Sequence, residues 1–473
     1  MKIKVLHITP HISGGVGSVL LSILKFYNKN QYFEHEIIAF EKLLDSEKKF
    51  FKGFLKKITR TQNYQTILKK IKDSDIVQIE WWSHPLIYYF LITFPFPKCR
   101  LIICSHIAGF YRPNLITKNI VKFSDIFLAT SKATSELSIF NNKRSNALNK
   151  KLKFIDYPIN LERFDKLKKK KHNTFNIGYI GTLDYSKLYR NFLLISSKIN
   201  IPKVKFIICG NDLGNNIYKE SLLFKKTKFE FKGFVNNLNK VFEELDLFGY
   251  PLNPKHFGTG EQILKESMFA ALPIVAFDNP CERNIIKNGV TGILVKKENQ
   301  YIQAIEALYK DKKKRIKLGR NAKNYIIKNL SPNKNFNNLN LIYKDLLKKQ
   351  KKSKSFNFSN IKFNNNIKKD IGVKIFIESL GHKSDEFYNS YTSNNNQVIN
   401  KANLKISKCE KELRVKNKGS IFQYLRYFSN DRYLNFWAGI IKQQEGKYKN
   451  ANKYFKLSKF NKARIDFIIK KIL

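Results

Sequence analysis

Cysteine is scarce in this chain of 473 residues. Its five cysteines are odd in number, scattered and without CxxC spacing, which argues against a disulfide framework and against a zinc site. Long apolar runs are also missing: the longest, LIYYFLITFPFP from Leu86, is too short to span a bilayer. The first residues, MKIKVLHITPHISGG, are too polar for a signal peptide. We therefore predict a protein of the reducing cytoplasm.

Acidic residues are few as well: 37 Asp and Glu stand against 88 Lys and Arg, a net charge of +51. Such a field attracts nucleic acid, acidic lipids and phosphorylated ligands. Lys, Asn, Ile, Phe and Tyr are all abundant, so an AT-rich coding bias is a second explanation of the charge, and both stay open. The basic residues are spread along the chain and no RRM, KH or zinc-finger pattern is present, so we predict no nucleic-acid partner.

Short apolar runs alternate with helical patterns along the first 349 residues. The runs IKVLHIT, HEIIAF, DIVQIEWW, RLIICSH and DIFLATS predict strands in the first half, and FNIGYIG, KVKFIICG, FEFKGF, LFGYP, LPIVAF and TGILV in the second. This βαβ order predicts an α/β fold of two Rossmann-like domains that face a cleft. We place the domains at residues 1–165 and 173–349, with the lysine-rich connector KLKKKKHNT between them.

The pattern changes after residue 350. Residues 350–370 are polar and without period, which predicts a linker. Residues 371–473 predict a mostly helical extension, in which YLNFWAGIIKQQEGKYKNANKYFKLS has the spacing of a tetratricopeptide repeat. Such hairpins usually present a groove, so we expect the extension to bind a protein partner or to mediate self-association. The alternative is that it packs permanently over the cleft and shapes an acceptor site.

Two glycine-containing turns, each after a predicted strand, are candidate ligand sites. In the first, Gly15 and Gly17 precede a helix, whose free N–H groups can hold a phosphate. A tight turn that binds nothing is the alternative. In the second, Gly181 and Thr182 end a strand and Lys187 follows, placed to neutralise a diphosphate. An ordinary surface lysine is the alternative there.

A third candidate site lies in HFGTGEQILKESMFAALPIVAF, which runs from a loop into a helix and then into a strand. Gly258, Thr259 and Gly260 form the loop, where backbone N–H groups at the helix start are free to bind an anion. Two carboxylates follow. Glu261 in the first turn also suits the helix dipole, and an ordinary solvated position is the alternative for Glu266.

Taken in order, these turns resemble the GT-B glycosyltransferases, specifically the retaining family-4 group that uses nucleotide-sugar donors. The resemblance covers about residues 1–349. It implies transfer with retention of configuration, no cofactor and no obligate metal. Further matching segments are YPINLERF at 157–164, CGND at 209–212, and LPIVAFDNPCERNIIKNGVTGILV with Glu282, Gly289 and Gly292.

The resemblance also implies roles for single residues. Glu266 matches the carboxylate that holds the nucleotide ribose, and Lys187 matches the lysine at the diphosphate. His106, in ICSHIAG, resembles a histidine near the transferred sugar, with a satisfied strand-end histidine as the alternative. His84 ranks below it as a residue of the acceptor cleft. The other implied donor-binding residues are Gly15, Gly17, Gly181, Thr182, Gly258, Thr259, Gly260 and Ile263. No metal ligand is implied.

Two departures from the family pattern bear on this site. The family has a Glu-x7-Glu motif, and its first Glu has no aligned partner here. We predict that Glu261 takes a donor-side role in its place, which puts it with His106 and Lys187 as a catalytic candidate. Thr182 stands where the family has an arginine, so one cation of the diphosphate site is absent or supplied from elsewhere.

Residues 45–60, DSEKKFFKGFLKKITR, combine apolar residues at helical spacing with lysines. This pattern predicts a basic amphipathic helix, which is typical of elements that lie on a membrane surface. The alternative is a helix packed on its own sheet with its lysines in water. Together with the net charge, the segment suggests work at the inner face of a membrane.

These observations predict a glycosyltransferase that moves a sugar from a nucleotide-sugar donor to a glycan, lipid-linked or envelope-polysaccharide acceptor. Two other functions stay open. A GT-B chain that has lost transfer would act as a scaffold through its helical extension, and lack of nucleotide-sugar hydrolysis would identify it. A GT-B epimerase or phosphorylase would be identified by its products.

Overall fold

The computed structural model describes residues 2–29, 32–141, 146–159, 164, 167–210, 216–235, 237–356, 370–381, 385–413 and 420–460. Several predicted features fall partly outside these residues: residues 160–163 of YPINLERF, the domain end at residue 165, residues 211–212 of CGND, residues 357–369 of the linker and residues 461–473 of the extension.

Within the described residues the first sheet has seven parallel strands, namely β1 Ile3–Thr9, β2 Phe33–Ala39, β3 Ile58–Arg60, β4 Ile76–Trp81, β5 Leu101–Ser105, β6 Ile126–Ala129 and β7 Leu152–Phe154. Their spatial order is β3-β2-β1-β4-β5-β6-β7. Every residue of β4 and β5 is buried, because a central parallel strand is covered on both faces and needs an almost continuous apolar run. The helices that accompany this first sheet are α1 Gly14–Asn28, α2 Asp45–Phe50, α3 Tyr64–Lys72, α4 Pro85–Thr93, α5 Lys118–Phe123 and α6 Asn146–Asn149.

The second sheet, again over the described part of the chain, has six parallel strands: β8 Phe175–Ile180, β9 Val204–Cys209, β10 Lys228–Gly233, β11 Leu247–Tyr250, β12 Ile274–Phe277 and β13 Ile293–Val295. Their order is β10-β9-β8-β11-β12-β13. The accompanying helices are α7 Phe192–Ser197, α8 Asn216–Ser221, α9 Leu238–Glu244, α10 Gln262–Phe269, α11 Pro280–Ile285, α12 Glu298–Lys310, α13 Lys312–Asn329 and α14 Pro332–Leu347. The predicted α/β class with two Rossmann-like domains is confirmed.

The last helix of this series returns to the first sheet. Phe336, Leu339 and Tyr343 of α14 are buried in one apolar cluster with residues of β1, α1 and β2. The Tyr343 hydroxyl donates to the side chain of Gln78 in β4 at 2.9 Å, and Tyr27 of α1 donates to the Asn340 side chain at 2.6 Å. Helix α14, which the sequence places at the end of the second domain, therefore packs on the first.

The prediction of one amphipathic helix over residues 45–60 is wrong. The segment forms the short α2, a single 3-10 turn at Leu55–Lys57 and then strand β3. Gly53 interrupts the helix at φ +90°, in the left-handed region, and the Phe51 side chain turns inward to full burial. Part of the apolar periodicity therefore belongs to a small core that also includes Phe54 and Ile58.

The linker also differs from its prediction. Cys99 and Lys352 pair as an antiparallel bridge, with backbone N–H to O distances of 3.0 and 3.2 Å. The Lys354 ammonium binds Asp125 at 2.6 Å. Residues 350–356 are thus attached to the edge of the first domain. The earlier connector is attached as well, because the Lys169 ammonium donates to the carbonyl oxygens of Phe242 and Leu245 at 2.8 and 2.9 Å.

The predicted C-terminal extension is helical over its described residues: α15 Ile371–Leu380, α16 Glu386–Thr392, α17 Asn396–Leu413, α18 Ile421–Leu425, α19 Arg432–Gln444 and α20 Tyr448–Ser458. Helices α19 and α20 form a hairpin in which Gly439 makes room for the Phe455 ring: a Cβ atom there would lie 2.5 Å from it. This agrees with a helix–turn–helix unit, whereas assignment to the tetratricopeptide class stays a prediction.

The extension packs on the first domain. Val373 and Phe376 of α15 share one apolar cluster with Ile87 and Leu91 of α4, and Trp437 is fully buried in the same cluster. Polar contacts cross the same boundary. Asn119 of α5 donates to Glu378 at 2.6 Å, and Arg112 pairs with Asp385. This arrangement supports permanent packing rather than a module that swings free.

Among the helices that the structure describes, none combines the length and the apolar character needed to cross a bilayer.

A chain ending at residue 350 should aggregate. Removing the extension would expose the apolar faces of α4 and α5, and a contiguous exposed apolar patch promotes association. We would measure the soluble fraction and the elution volume on a sizing column. A chain ending at residue 460 is the control, because it keeps every described helix. A soluble, monodisperse chain 1–350 would contradict permanent packing.

Candidate active site

The carboxyl ends of the strands of both sheets meet between the two domains. The Ala108 N–H, which follows β5, donates to the Phe257 carbonyl oxygen at 3.4 Å. The Thr130 hydroxyl after β6 lies 3.3 Å from the Thr259 hydroxyl. Because ligands of open parallel sheets bind beyond the carboxyl ends of the strands, this cleft is the candidate active site.

A buried ion pair forms its second-domain side. The Lys187 ammonium lies 3.0 Å from Oε2 of Glu261, and the Tyr250 hydroxyl at the end of β11 donates to the same oxygen at 2.5 Å. Burial raises the pKa of Glu261, but Lys187 and His256 outweigh burial and bring that pKa below its ordinary value. Glu261 is therefore a fixed, charged carboxylate.

Local backbone contacts hold this pair together. The Asn253 N–H donates to the Lys187 carbonyl at 2.7 Å, which joins the turn after β8 to the loop after β11. At Gly258 an added Cβ would lie 1.8 Å from Oε1 of Glu261, so glycine at this position is what lets the carboxylate approach the loop. Glu261 itself directly precedes α10, so the prediction that it lies in the first turn of that helix is wrong.

A second buried pair supports the same loop. Nε2 of His256 lies 3.2 Å from both carboxylate oxygens of Glu282 in α11. Nδ1 of this ring accepts the Gly258 N–H at 3.0 Å, which fixes the ring orientation. Burial lowers the pKa of His256, but the charge and the hydrogen bond of Glu282, together with the Glu261 charge, outweigh burial and raise that pKa. Glu282 thus anchors the glycine loop through His256.

His256, Glu261 and Glu282 could in principle hold a cation, since one ligand atom of each lies within 4.8 Å of the others. Lys187 already places a positive charge 3.0 Å from Glu261, and a metal ion would be repelled by it. The geometry therefore favours an ion-pair network. A site without an obligate metal stays a prediction.

The first-domain side centres on Glu80, which lies in β4 and is fully buried. Nε2 of His106 and Nδ1 of His7 each lie 2.6 Å from its carboxylate oxygens. Burial raises the pKa of Glu80, but the hydrogen bonds from these two rings outweigh burial and lower it to about 2. The charged carboxylate fixes the orientation of His106 at the end of β5.

The other predicted site residues follow the same edges. Helix α1 begins at Gly14, so Gly15 and Gly17 lie within it and the prediction that they precede the helix is wrong. Gly15 is exposed, and Gly17 is buried against the Ile12 carbonyl, which a Cβ would approach to 1.9 Å. The Tyr179 hydroxyl donates to the Thr182 carbonyl at 3.0 Å, beside Gly181. Both Glu266 and Ile263 are half-buried on α10. The structure thus brings Lys187 to the loop of 258–261, whereas His106 belongs to the Glu80 cluster.

Sequence reasoning missed Tyr250, Glu80 and the pairing of His256 with Glu282. Glu80 did give a signal, because it is the one charged residue in the apolar run DIVQIEWW after its first Asp. A lone acid in a central strand is seldom left unpaired, since a buried charge needs partners. Tyr250 gave none, because tyrosine is common in strands and its hydroxyl partner lies on a later loop.

Residues 160–325 match the family model described as "Glycosyl transferases group 1". The second domain therefore carries a glycosyl transferases group 1 domain, which makes the chain a glycosyltransferase. The family-4 retaining subgroup stays a prediction. No curated protein matches the sequence.

Solved structures similar to this chain share the GT-B fold. Anabaena Alr3699/HepE, solved in complex with UDP and glucose, matches with a TM-score of 0.60 and 14% identity over 72% of this chain and 100% of that one. A glycosyltransferase from Rickettsia africae ESF-5 matches with a TM-score of 0.59 and 16% identity over 73% and 99%. Sucrose-phosphate synthase from Thermosynechococcus elongatus matches with a TM-score of 0.55 and 11% identity over 73% and 99%.

Lys187→Met should lower the free energy of unfolding by about 3–5 kcal/mol, because Glu261 would keep a buried charge without its partner. Adding Glu261→Gln to that variant should restore most of the loss. We would measure both by chemical denaturation. The control is Lys205→Met, which breaks the more exposed pair with Glu230 and should cost less than about 1 kcal/mol. Equal losses for Lys187→Met and Lys205→Met would show that Glu261 does not depend on Lys187.

Proposed function

We propose that this glycosyltransferase moves a sugar from a nucleotide-sugar donor to a glycan or lipid-linked acceptor, with retention of configuration. The observation that carries the proposal is the buried network of Lys187, Glu261 and Tyr250 inside the group 1 domain, at the carboxyl edge of its sheet. It faces the edge on which His106 lies. Alr3699/HepE was solved with UDP and glucose, so UDP-glucose is the first donor to test.

In the proposed reaction the bond between the anomeric carbon and the diphosphate oxygen breaks, and its electron pair leaves with the nucleoside diphosphate. The acceptor hydroxyl oxygen forms the new bond to that carbon, and its proton passes to the departing diphosphate. Lys187 and the N–H groups of Thr259 and Gly260 stabilise the charge that develops on the leaving group. Preorganised charge of this kind is commonly the largest catalytic contribution.

Three further residues take positioning roles in the proposal. Glu266 on α10 holds the ribose, and Glu261, oriented by the Tyr250 hydroxyl, accepts hydrogen bonds from the donor sugar. His106, whose ring Glu80 fixes, donates or accepts a hydrogen bond at the transferred sugar from the first domain. When a donor enters, its diphosphate offers Lys187 a second anionic partner beside Glu261.

Glu266→Ala and Lys187→Ala should each reduce transfer from UDP-glucose about 100-fold or more, measured under conditions where the variants remain folded. Lys313→Ala, an exposed lysine on α13, is the control and should leave turnover unchanged. UDP at 100 times its dissociation constant should add about 2.7 kcal/mol to the stability of the wild type. If no UDP, GDP or ADP sugar is hydrolysed, and none of them stabilises the fold, the scaffold function becomes the better proposal.

We also propose that the chain works against an anionic membrane surface. Leu44, Phe50 and Leu55 are exposed by 58%, 50% and 41%, and the exposed Lys48 and Lys49 adjoin them on the segment of α2 and the following turn. Exposed apolar side chains among lysines suit the boundary between lipid headgroups and acyl chains, and each lysine near such a surface contributes about 1 kcal/mol.

Changing Lys48, Lys49, Lys52 and Lys56 to Gln should release the protein from phosphatidylserine vesicles in a flotation assay at low salt. Lys57 is left unchanged because it pairs with Glu34. The matched control changes Lys312, Lys313, Lys314 and Lys317, four exposed lysines of α13, and removes the same charge from the second domain. Equal release by both sets would indicate attraction by net charge alone. No binding by the wild type would make a soluble acceptor the better proposal.

A further inference from the structure

Four strands that are neighbours in the first sheet, β2, β1, β4 and β5, end beside one another. Glu41 follows β2, His11 follows β1, Trp82 and His84 follow β4, and His106 follows β5. Because the strands are parallel, these residues share one edge of the sheet. The next strand, β6, ends close to the second domain, so the edge leads from the interdomain contact outward past His106 to Glu41.

A tyrosine of the C-terminal extension completes this edge. The Tyr427 hydroxyl donates to Oε1 of Glu41 at 2.5 Å and lies 3.2 Å from Nε2 of His84. Nδ1 of His84 accepts the Leu86 N–H at 3.3 Å, so in the neutral ring Nε2 carries the hydrogen and donates to Tyr427. Burial and the bond to Glu41 raise the pKa of Tyr427, which keeps its hydroxyl protonated.

Neighbouring packing fixes the place of Tyr427. Its N–H donates to the carbonyl of Tyr424, which is fully buried, at 3.0 Å. The ring of Phe428 lies 5.8 Å from that of Tyr89 on α4, and Gly372 leaves the space for it, since a Cβ there would lie 2.7 Å from Phe428. The core shared by the extension and the first domain therefore sets the position of the hydroxyl.

An aromatic face adjoins these polar groups. The Trp82 ring lies 5.8 Å from that of His84, 5.0 Å from that of His11 and 6.4 Å from that of His106. It is only partly buried, and the Glu41 side chain is 32% exposed. A half-open indole beside a carboxylate and a histidine matches a sugar ring, which has an apolar face and a rim of hydroxyls.

We propose that Glu41, His84 and Tyr427, with Trp82 as a stacking face, form a saccharide-binding subsite on the acceptor side of the cleft. The C-terminal extension completes this subsite by supplying Tyr427. The hydroxyls of a sugar ring donate to Glu41, and Tyr427 and His84 hold that carboxylate in place. The inference rests on the proposed function, because only a glycosyl transfer gives a reason for an acceptor sugar next to His106.

Tryptophan fluorescence of the full chain can test the subsite directly. Trp81 and Trp437 are fully buried, so Trp82 is the tryptophan whose emission a bound sugar should change. Glucose, galactose, N-acetylglucosamine, maltose and lactose are titrated in turn. We expect a saturable change with at least one of them, its absence in Trp82→Phe, and a dissociation constant raised about tenfold or more in Tyr427→Phe.

The control for the extension is Tyr448→Phe, since Tyr448 is 56% exposed on α20 and should leave binding unchanged. Thermal stabilisation by UDP is measured in the same variants and should be equal to that of the wild type. If none of UDP, GDP and ADP stabilises the wild type, the proposed function fails while the sugar titration still tests the subsite. A signal retained in Trp82→Phe, equal affinity in the two tyrosine variants, or no response to any sugar would each overturn the subsite.

Discussion

Parallel pairing of every strand in both sheets is the constraint on which the rest of this structure depends. It places all carboxyl ends of a sheet at one edge, so residues far apart in sequence meet there without any local motif. Glu41, Trp82, His106 and Thr130 share one edge for this reason, and Lys187 meets Glu261 at the other. Contact between the two edges, through Thr130 and Thr259, then makes the cleft.

The same pairing leaves both faces of each sheet apolar, and the chain covers them with distant segments. Helix α14 returns from the second domain to cover one face of the first sheet, with Tyr343 bonded to Gln78. On the other side, the extension adds a further layer over α4 and α5. Because the extension is attached to the first domain, it adjoins the edge of the first sheet and not the loops after β8 and β11.

The sequence was sufficient to predict most of this fold, and its errors have physical causes. Runs such as DIVQIEWW and RLIICSH became β4 and β5, because central parallel strands are covered on both faces and are therefore mostly apolar. The helix over residues 45–60 failed because Gly53 breaks it and Phe51 belongs to the core. Periodicity alone does not distinguish a helix on a membrane from short pieces that pack locally.

The sequence groups candidate site residues that share a loop, as with Gly258, Thr259, Gly260 and Glu261, and their roles stay predictions. Contacts between loops were not predictable. Tyr427 and Glu41 are separated by 386 positions, and only the tertiary packing of α15 on α4 and of α18 on α15 brings them together. Tyr250 and Glu261 are only 11 positions apart, but the fold of the loop between β11 and α10 decides that they meet. Such pairs carry no spacing signal, so a single sequence cannot show them.

The prediction that Glu261 replaces the first carboxylate of the Glu-x7-Glu motif gains physical support from the Lys187–Glu261 pair. A carboxylate shifted along the loop can serve the donor only if it remains charged and fixed while buried. The ammonium of Lys187 and the hydroxyl of Tyr250 meet both needs, and Gly258 supplies the space. Removing either charge alone would leave the other buried and uncompensated, so the shifted Glu261 and Lys187 depend on each other. This mutual dependence ties the departure in the motif to the lysine that we propose for the diphosphate, and makes the two positions one structural unit.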